Sequence, residues 1–371
     1  MDKSNPVITP PAPPPARRRL FVILAVSLPP LLLVLLLVAG EIAGRIVMHK
    51  KHGVPGKSYG LYQADRELGA NHAPHRYNSN TILNNWGFRN REDVAATKPA
   101  GAMRVYCSGG STTFCYNLPT DEAWPSVLQG KLRVTPGHER DEVLNAGQIC
   151  WSLCHEYVLA KRLLPQLKPD FVILFTGVNE GMSAEQFARK EPAVLDRMVA
   201  EQRWGEVAKD LDQARFLKRH STLFRLWDYR IKSWFAPALT AEYREPEVKE
   251  RPVDHPAMHP YVMANLEHTL RAYLKLIREQ GATPVIVRYG DNGTDAWYLR
   301  YGTRAWRERV VEIGRAEGVI ICDAAAVFEQ HPKRVECFIE SGIHVTALGA
   351  DVLAEELKKT LLAEATRQKS K

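Results

Sequence analysis

Four short stretches of the chain carry residues whose types could act together on an ester carbonyl. Ser111 ends the run Ser108-Gly109-Gly110-Ser111, and His344 lies near the C-terminus in Ser341-Gly342-Ile343-His344-Val345-Thr346. A serine hydroxyl is a weak nucleophile until a base takes its proton, and imidazole is the side chain suited to that task near neutral pH. Attack on a carbonyl also needs donors aimed at the oxygen that becomes negative. The backbone N–H groups of Ser111 and Gly147 and the side-chain amide of Asn179 are the candidates. Gly147 stands in Asn145-Ala146-Gly147-Gln148, where a missing Cβ lets the backbone approach a substrate closely. Asn179 stands in Gly177-Val178-Asn179-Glu180. A Gly-Ser turn alone recurs by chance and needs no chemistry. The weight rests on three of the stretches falling at the ends of expected strands, with the fourth, carrying His344, following in a loop near the C-terminus.

Those strands and their helices follow from the hydrophobic pattern. Arg104–Cys107 reads as a buried strand that breaks into the two glycines and Ser111, with a helix over Glu122–Leu132 behind it. Glu142–Asn145 is a second strand and leads into Gly147. A helix over Ser152–Leu167 ends at Pro169-Asp170, and Phe171–Phe175 is an unbroken apolar run of the kind found in central parallel strands. That strand delivers Asn179. After a long polar excursion over residues 181–260, helix Tyr261–Gln280, strand Pro284–Arg288, helix Thr303–Glu317, strand Val319–Asp323 and helix Leu348–Ala363 complete the pattern. Strands alternating with helices argue for a parallel sheet covered on both faces, which places its chemistry at the carboxyl edge.

In this order the stretches resemble the SGNH (GDSL-like) hydrolase family, named for its Ser, Gly, Asn and His blocks. Gly109-Gly110-Ser111-Thr112-Thr113 resembles the first block with Gly-Gly-Ser in place of Gly-Asp-Ser, Asn145-Ala146-Gly147 the second, Gly177-Val178-Asn179-Glu180 the third, and His344-Val345-Thr346 the last. The upstream Asn85-Trp86-Gly87-Phe88-Arg89 resembles a segment common before the first block in membrane-anchored members. The resemblance spans about residues 80–364 and implies a flavodoxin-like three-layer α/β/α fold, with ester hydrolysis or acyl transfer and neither metal nor other cofactor. One departure stands out. The family's last block has an aspartate three residues before the histidine, where this chain has Ser341. Glu340 lies four residues before His344 and is the candidate third member of a triad. The alternative is a dyad in which a backbone carbonyl orients His344.

At 371 residues, with 45% apolar and 25% charged residues, the composition is that of a globular protein with room for one large domain or two. The net charge of +8 is spread without a dense basic block, which speaks against a nucleic-acid partner and mildly for an anionic surface. Residues 1–19 are expected to form a disordered cytoplasmic tail, rich in proline and ending in Arg17-Arg18-Arg19. Residues 20–45 are expected to be a transmembrane anchor, since the apolar run Leu20–Gly40 has about the ~20 residues that cross a bilayer. Pro29-Pro30 should kink it. A cleaved signal peptide is the rival reading, with Val38-Ala39-Gly40 as its small-residue site, although the run exceeds the roughly 7–15 residues of a signal core. The arginine triplet favours a cytoplasmic N-terminus, against which Arg45, Lys50 and Lys51 pull. The chain beyond would then lie outside the cytoplasm, periplasmic or extracellular. Residues 46–100 read as a connector laid over the catalytic domain, and 101–371 as the SGNH-like domain with a helical insertion at 181–260.

Six cysteines, at 107, 115, 150, 154, 322 and 337, are an even set in a chain placed outside the cytoplasm, which permits disulfides. Cys322 and Cys337 flank one short connection and are the first expected pair. Cys115 with Cys150 or Cys154 is another, and Cys107 reads as a buried thiol. Cys150-Trp151-Ser152-Leu153-Cys154-His155 has three residues between its cysteines where a haem attachment motif has two. In the excursion, Leu223, Trp227, Ile231 and Trp234 share a helical face near Lys218, Arg219, Arg225, Arg230 and Lys232. That pattern fits a helix on anionic lipid, a cap over the site, or a docked helix with solvated arginines. Asp291 and Asn292 follow the fourth strand and could line the substrate cleft.

The expected activity is that of a membrane-anchored serine esterase acting on an ester, with O-acetyl among the candidates. Ser111 is the nucleophile, His344 the base, Glu340 its candidate partner, and Ser111, Gly147 and Asn179 the oxyanion donors. An O-acyltransferase acting on an envelope polysaccharide, or a catalytically silent SGNH-fold binding protein, are the alternatives. The expected partners are an ester-bearing substrate, such as an acylated glycan, and the membrane.

Overall fold

The computed structural model of the chain describes residues 15–52, 58–59, 61–65, 67–77, 80–149, 151–180, 221, 223, 260–292, 303–339 and 342–370. It divides into two compact units, Met1–Pro55 with Arg215–Tyr243, and Gly56–Ala214 with Arg244–Lys371.

In the first unit, helix α1 (Pro15–His52) runs through Pro29 and Pro30 without interruption. Its segment Arg18–Ile46, 29 residues, is long and apolar enough to cross a membrane: its most apolar 18 residues have a mean hydropathy of 2.9, and none of those is buried by the protein. At its far end Glu41 accepts hydrogen bonds from the Ser221 hydroxyl (2.8 Å) and the Leu223 N–H (3.0 Å). Part of the 181–260 excursion thus returns to α1. Its other residues, Trp227, Ile231, Trp234 and the basic set among them, lie outside the described residues.

The second unit begins with short strands. β1 (Ser58–Tyr59) pairs in parallel with β4 (Arg76–Tyr77), and β2 (Tyr62–Asp65) pairs antiparallel with β3 (Gly69–His72). They lie on the body of the domain: Leu68, with Phe88 and Val94 from the following loop, is buried in the main hydrophobic cluster, and Leu61 and Leu83 pack in a small cluster with Phe114. Arg162, from the body of the domain, binds Asp65 (2.6 Å) and Glu67.

The main sheet comprises β5 (Arg104–Gly109), β6 (Glu142–Asn145), β7 (Phe171–Phe175), β8 (Thr283–Val287) and β9 (Ile320–Cys322), all parallel, in the order β6-β5-β7-β8-β9. Counted from β5, this is the 2-1-3-4-5 order of flavodoxin-like sheets, whose ligand crevice lies between the first and third strands. Alternation along each strand sorts the core into two layers. Tyr106, Leu144, Val172, Leu174 and Ile286 pack with helices α4 (Leu153–Leu167), α5 (Pro260–Glu279) and α6 (Thr303–Ala316). Val105, Val143, Ile173, Val285 and Cys322 pack on the other face with α3 (Trp124–Arg133) and α8 (Ala347–Lys369). Between β5 and α3 lies the one-turn α2 (Ser111–Phe114), and α7 (Ala324–Gln330), capped by Asp323, follows β9. This is the three-layer α/β/α fold expected.

The disulfide expectation is not met. Cys107, Cys115, Cys322 and Cys337 are free thiols, and Cys150 lies outside the described residues. The thiols face other groups: Cys337 Sγ lies 3.5 Å from His331 Nδ1, Cys115 Sγ bonds the Thr112 carbonyl at 3.3 Å, and Cys154 Sγ lies 3.1 Å from the Ser152 hydroxyl. Burial pushes the Cys322 thiol up to about 12, with a hydrogen bond to Thr360 opposing it.

Candidate active site

β5 and β7 end side by side at the switch point, with Gly109 in register with Phe175. The close approach of the two strand ends explains both glycines before Ser111. A Cβ on Gly109 would fall 2.6 Å from the Phe175 carbonyl oxygen, and one on Gly110 only 2.5 Å from Asn179 Nδ2 and 3.1 Å from the Trp151 carbonyl oxygen. The second position of the block therefore has no room for a side chain while Asn179 keeps its place. Ser111 opens α2 immediately afterwards, and as its first residue it has no acceptor for its N–H within the helix.

His344 meets this serine across the sheet edge, with Ser111 Oγ 2.9 Å from His344 Nε2. Both are buried, at 8% and 6% exposure, so the pair is screened from bulk water. Burial lowers the imidazole pKa from the usual 6.5 to about 4, which keeps it neutral and able to accept a proton at neutral pH. The loop that presents His344 is a narrow turn: Phe338 bridges Val345, and the Ile339 N–H bonds the His344 carbonyl at 2.9 Å. Gly342 turns it with φ +78°, in the left-handed region that glycine enters without strain. Asn292 N–H holds the Gly342 carbonyl (3.0 Å) and Asn117 Nδ2 holds that of Val345 (2.9 Å). Glu340 and Ser341 lie outside the described residues.

The other two expected donors sit at the same edge. Gly147 packs directly on α2, where a Cβ would come within 2.5 Å of the Phe114 nitrogen and 2.8 Å of Thr113 Cβ. Its N–H bonds Asn145 Oδ1 at 3.1 Å, while Asn145 Nδ2 holds the Thr113 carbonyl at 3.1 Å. Asn179, 4% exposed, gives one amide hydrogen to the Trp151 carbonyl (2.7 Å), and a primary amide carries a second.

Several residues around the pair gave no sequence signal. Cys115 caps α2 with φ +57°, and this left-handed turn puts the Tyr116 ring edge-on to His344, with centroids 4.8 Å apart and planes at 81°. Tyr116 is 42% exposed and lends the pair an aromatic wall. Beneath the switch point, buried Glu156 joins the two strand ends: Ser108 Oγ donates to it at 3.0 Å and Thr176 Oγ1 at 3.1 Å. Tyr273 in turn donates to Ser108 (3.0 Å). Burial, with the charge of Glu180 nearby, holds the Glu156 carboxyl well above the usual carboxylate range. Glu180 itself accepts the Leu153 N–H (2.9 Å) at the start of α4. Asp291 is engaged within the protein. Its buried carboxylate binds Arg334 (2.7 Å) and Arg307 (3.2 Å).

A serine and a neutral histidine in contact at a switch point, beside an asparagine amide, are the arrangement that a nucleophile–base unit with oxyanion donors requires. The sequence profile of the GDSL-like lipase/acylhydrolase family matches residues 107–352, well over half of the chain. The chain belongs to this family. As a GDSL-like lipase/acylhydrolase it is a hydrolase acting on ester bonds, and Ser111, Gly147, Asn179 and His344 all fall inside the matched region. No curated protein matches the chain. Among solved structures it is similar to a lipase/acylhydrolase from Enterococcus faecalis (13% identity, 71% of this chain and 96% of that one, TM-score 0.43). It is also similar to an acetylxylan esterase from Geobacillus stearothermophilus (12% identity, 72% and 96%, TM-score 0.43).

Proposed function

We propose that this GDSL-like hydrolase is a serine esterase held at the outer face of a membrane by residues 20–45. Ser111 attacks the ester carbonyl while His344 takes its proton and returns it to the departing alcohol, leaving an acyl group on Ser111 that water removes by the same route. The Ser111 N–H and the second amide hydrogen of Asn179 carry the oxyanion. Gly147 joins them by sharing its N–H with Asn145 Oδ1. Glu340 is the candidate partner of His344. The observation that carries this reading is the 2.9 Å contact between Ser111 Oγ and His344 Nε2 within the family-matched region.

For the substrate, an ester on a glycan, O-acetyl first, is the class to test, because the half-exposed ring of Tyr116 stands beside His344 and offers a sugar an apolar face. The test is a fluorophosphonate probe on the full-length protein in detergent, followed by a panel of acetylated sugars and short acyl esters. The expected result is a single label on Ser111 that abolishes turnover. A label elsewhere, or turnover surviving complete labelling, contradicts the reading.

A further inference from the structure

We infer that Arg89, outside the family-matched region, is a positioning residue for the nucleophile: it fixes the end of the Ser111 turn and ties that turn to the second loop. The inference rests on the reading of Ser111 as nucleophile. Arg89 ends a tight loop built by its own sequence. Asn84 Oδ1 accepts the N–H groups of Trp86 (2.9 Å) and Phe88 (3.1 Å), and Gly87 takes φ +76° where a Cβ would strike the His72 carbonyl oxygen at 2.7 Å. The loop then lies along β6, the edge strand. The Arg89 N–H bonds the Asn145 carbonyl (2.9 Å), Asn90 Oδ1 accepts the Asn145 N–H (3.0 Å), and Asn90 Nδ2 bonds the Val143 carbonyl (2.8 Å).

The guanidinium is fully buried, and its four acceptors are all backbone carbonyls. It donates to Phe114, Cys115 and Leu118, and to Asn80 at 3.5 Å, and it stacks on the Phe114 ring 4.7 Å from the centroid. A buried cation costs free energy unless its surroundings satisfy it. Burial lowers this group only to about 10, so it stays protonated at neutral pH. The carbonyls it binds lie at the end of the one-turn helix and just beyond it: Phe114 ends α2, Cys115 is its left-handed cap and also accepts the Leu118 N–H (3.0 Å), and Leu118 closes that following turn. A non-glycine left-handed residue needs its surroundings to hold it. Through these contacts the last turn before Tyr116 is fixed from its carbonyl side. Through its backbone the same residue holds Asn145, whose side chain bonds both Thr113 and Gly147. Arg89 thus spans the nucleophile turn and the Gly147 loop. A planar fork reaching several acceptors at once is a task that lysine, a single point charge, cannot reproduce.

The test uses the full-length protein in detergent: wild type, Arg89→Gln, Arg89→Lys and Ser111→Ala, followed by fluorophosphonate labelling rate, kcat, KM and thermal melting. A shift of the nucleophile by about 1 Å costs on the order of 10²-fold, so labelling rate and kcat should fall together by roughly 10- to 100-fold in Arg89→Gln. KM should change little, and Arg89→Lys should fall between the two. A folded Arg89→Gln that labels and turns over at the wild-type rate overturns the proposal. So does failure of both variants to fold, which would make Arg89 a stability residue only. If Ser111→Ala labels as fast as wild type, the nucleophile reading fails and takes the proposal with it. Ser111-dependent labelling with an unchanged Arg89→Gln removes the proposal alone.

Discussion

At the level of single residues, the base is the group whose surroundings decide most. Imidazole titrates near 6.5 in water, and burial of His344 lowers it to about 4. Its neutral form is the one that takes the Ser111 proton, so kcat/KM for the free enzyme should hold as pH falls through 6 and drop only near pH 4. A carboxylate from Glu340 on Nδ1 would favour the imidazolium and move that limb up toward pH 6–7. The acid limb of a pH–kcat/KM profile therefore reads the partner: a limb near 4 supports the dyad, and one above about 6 the triad. Burial lowers His72 too, to about 3. For both histidines the unfolded chain binds the proton first, so each contributes stability that is complete above about 6.5 and is lost as pH falls toward the folded value, at up to about 1.4 kcal/mol per pH unit. Full recovery of activity on return to pH 7 separates titration of the base from unfolding. Asn179 gives a second prediction. Asn179→Ala should lower kcat by roughly 10²–10³ with KM little changed, the scale for one oxyanion donor. A change confined to KM would make it a substrate-binding residue instead.

At the level of elements, the site is assembled by contacts too close for side chains. Gly147 touches α2 at the Phe114 nitrogen, so Gly147→Ala must push α2 or the second loop aside. Overpacking of this kind costs about 1–3 kcal/mol, and here the strain falls on the helix that carries Ser111. We expect a lower melting temperature and a fall in kcat at a temperature where the variant is fully folded. Wild-type kcat in that folded variant would show that the loop yields without disturbing the serine. Much of this was readable in advance. Residues 142–145 and 171–175 are the strands expected, and 171–175 is the plainer, because an unbroken apolar run in a buried parallel strand is a signal in residue type alone. β5 extends two residues beyond the expected Cys107, since pairing with β7 continues through Ser108 and Gly109. α7 went unread because seven residues are too few for a helical period to show. The disulfides were inferred from an even count and a compartment, and neither carries geometry. Arg89 was quoted only as part of a resemblance: its acceptors are carbonyls, which every residue has.

Across the whole molecule, the chain joins a helical segment long and apolar enough to cross a membrane to a GDSL-like hydrolase domain, and part of the excursion contacts that helix at Glu41. If that helix is an uncleaved anchor with its arginines in the cytoplasm, a reporter active only outside the cytoplasm and fused after Lys371 should be active. It should also stay in the membrane fraction after an alkaline wash. Release into the soluble fraction would favour a cleaved signal peptide, and a silent reporter would reverse the orientation. The most direct measurement is the turnover of Ser111→Ala on the ester that the wild-type protein cleaves fastest, with folding confirmed by the melting curve. Removing one member of a nucleophile–base unit costs several orders of magnitude, on the order of 10⁴–10⁶ in kcat, and that loss is what we expect. Turnover within about tenfold of wild type would contradict the assignment of Ser111.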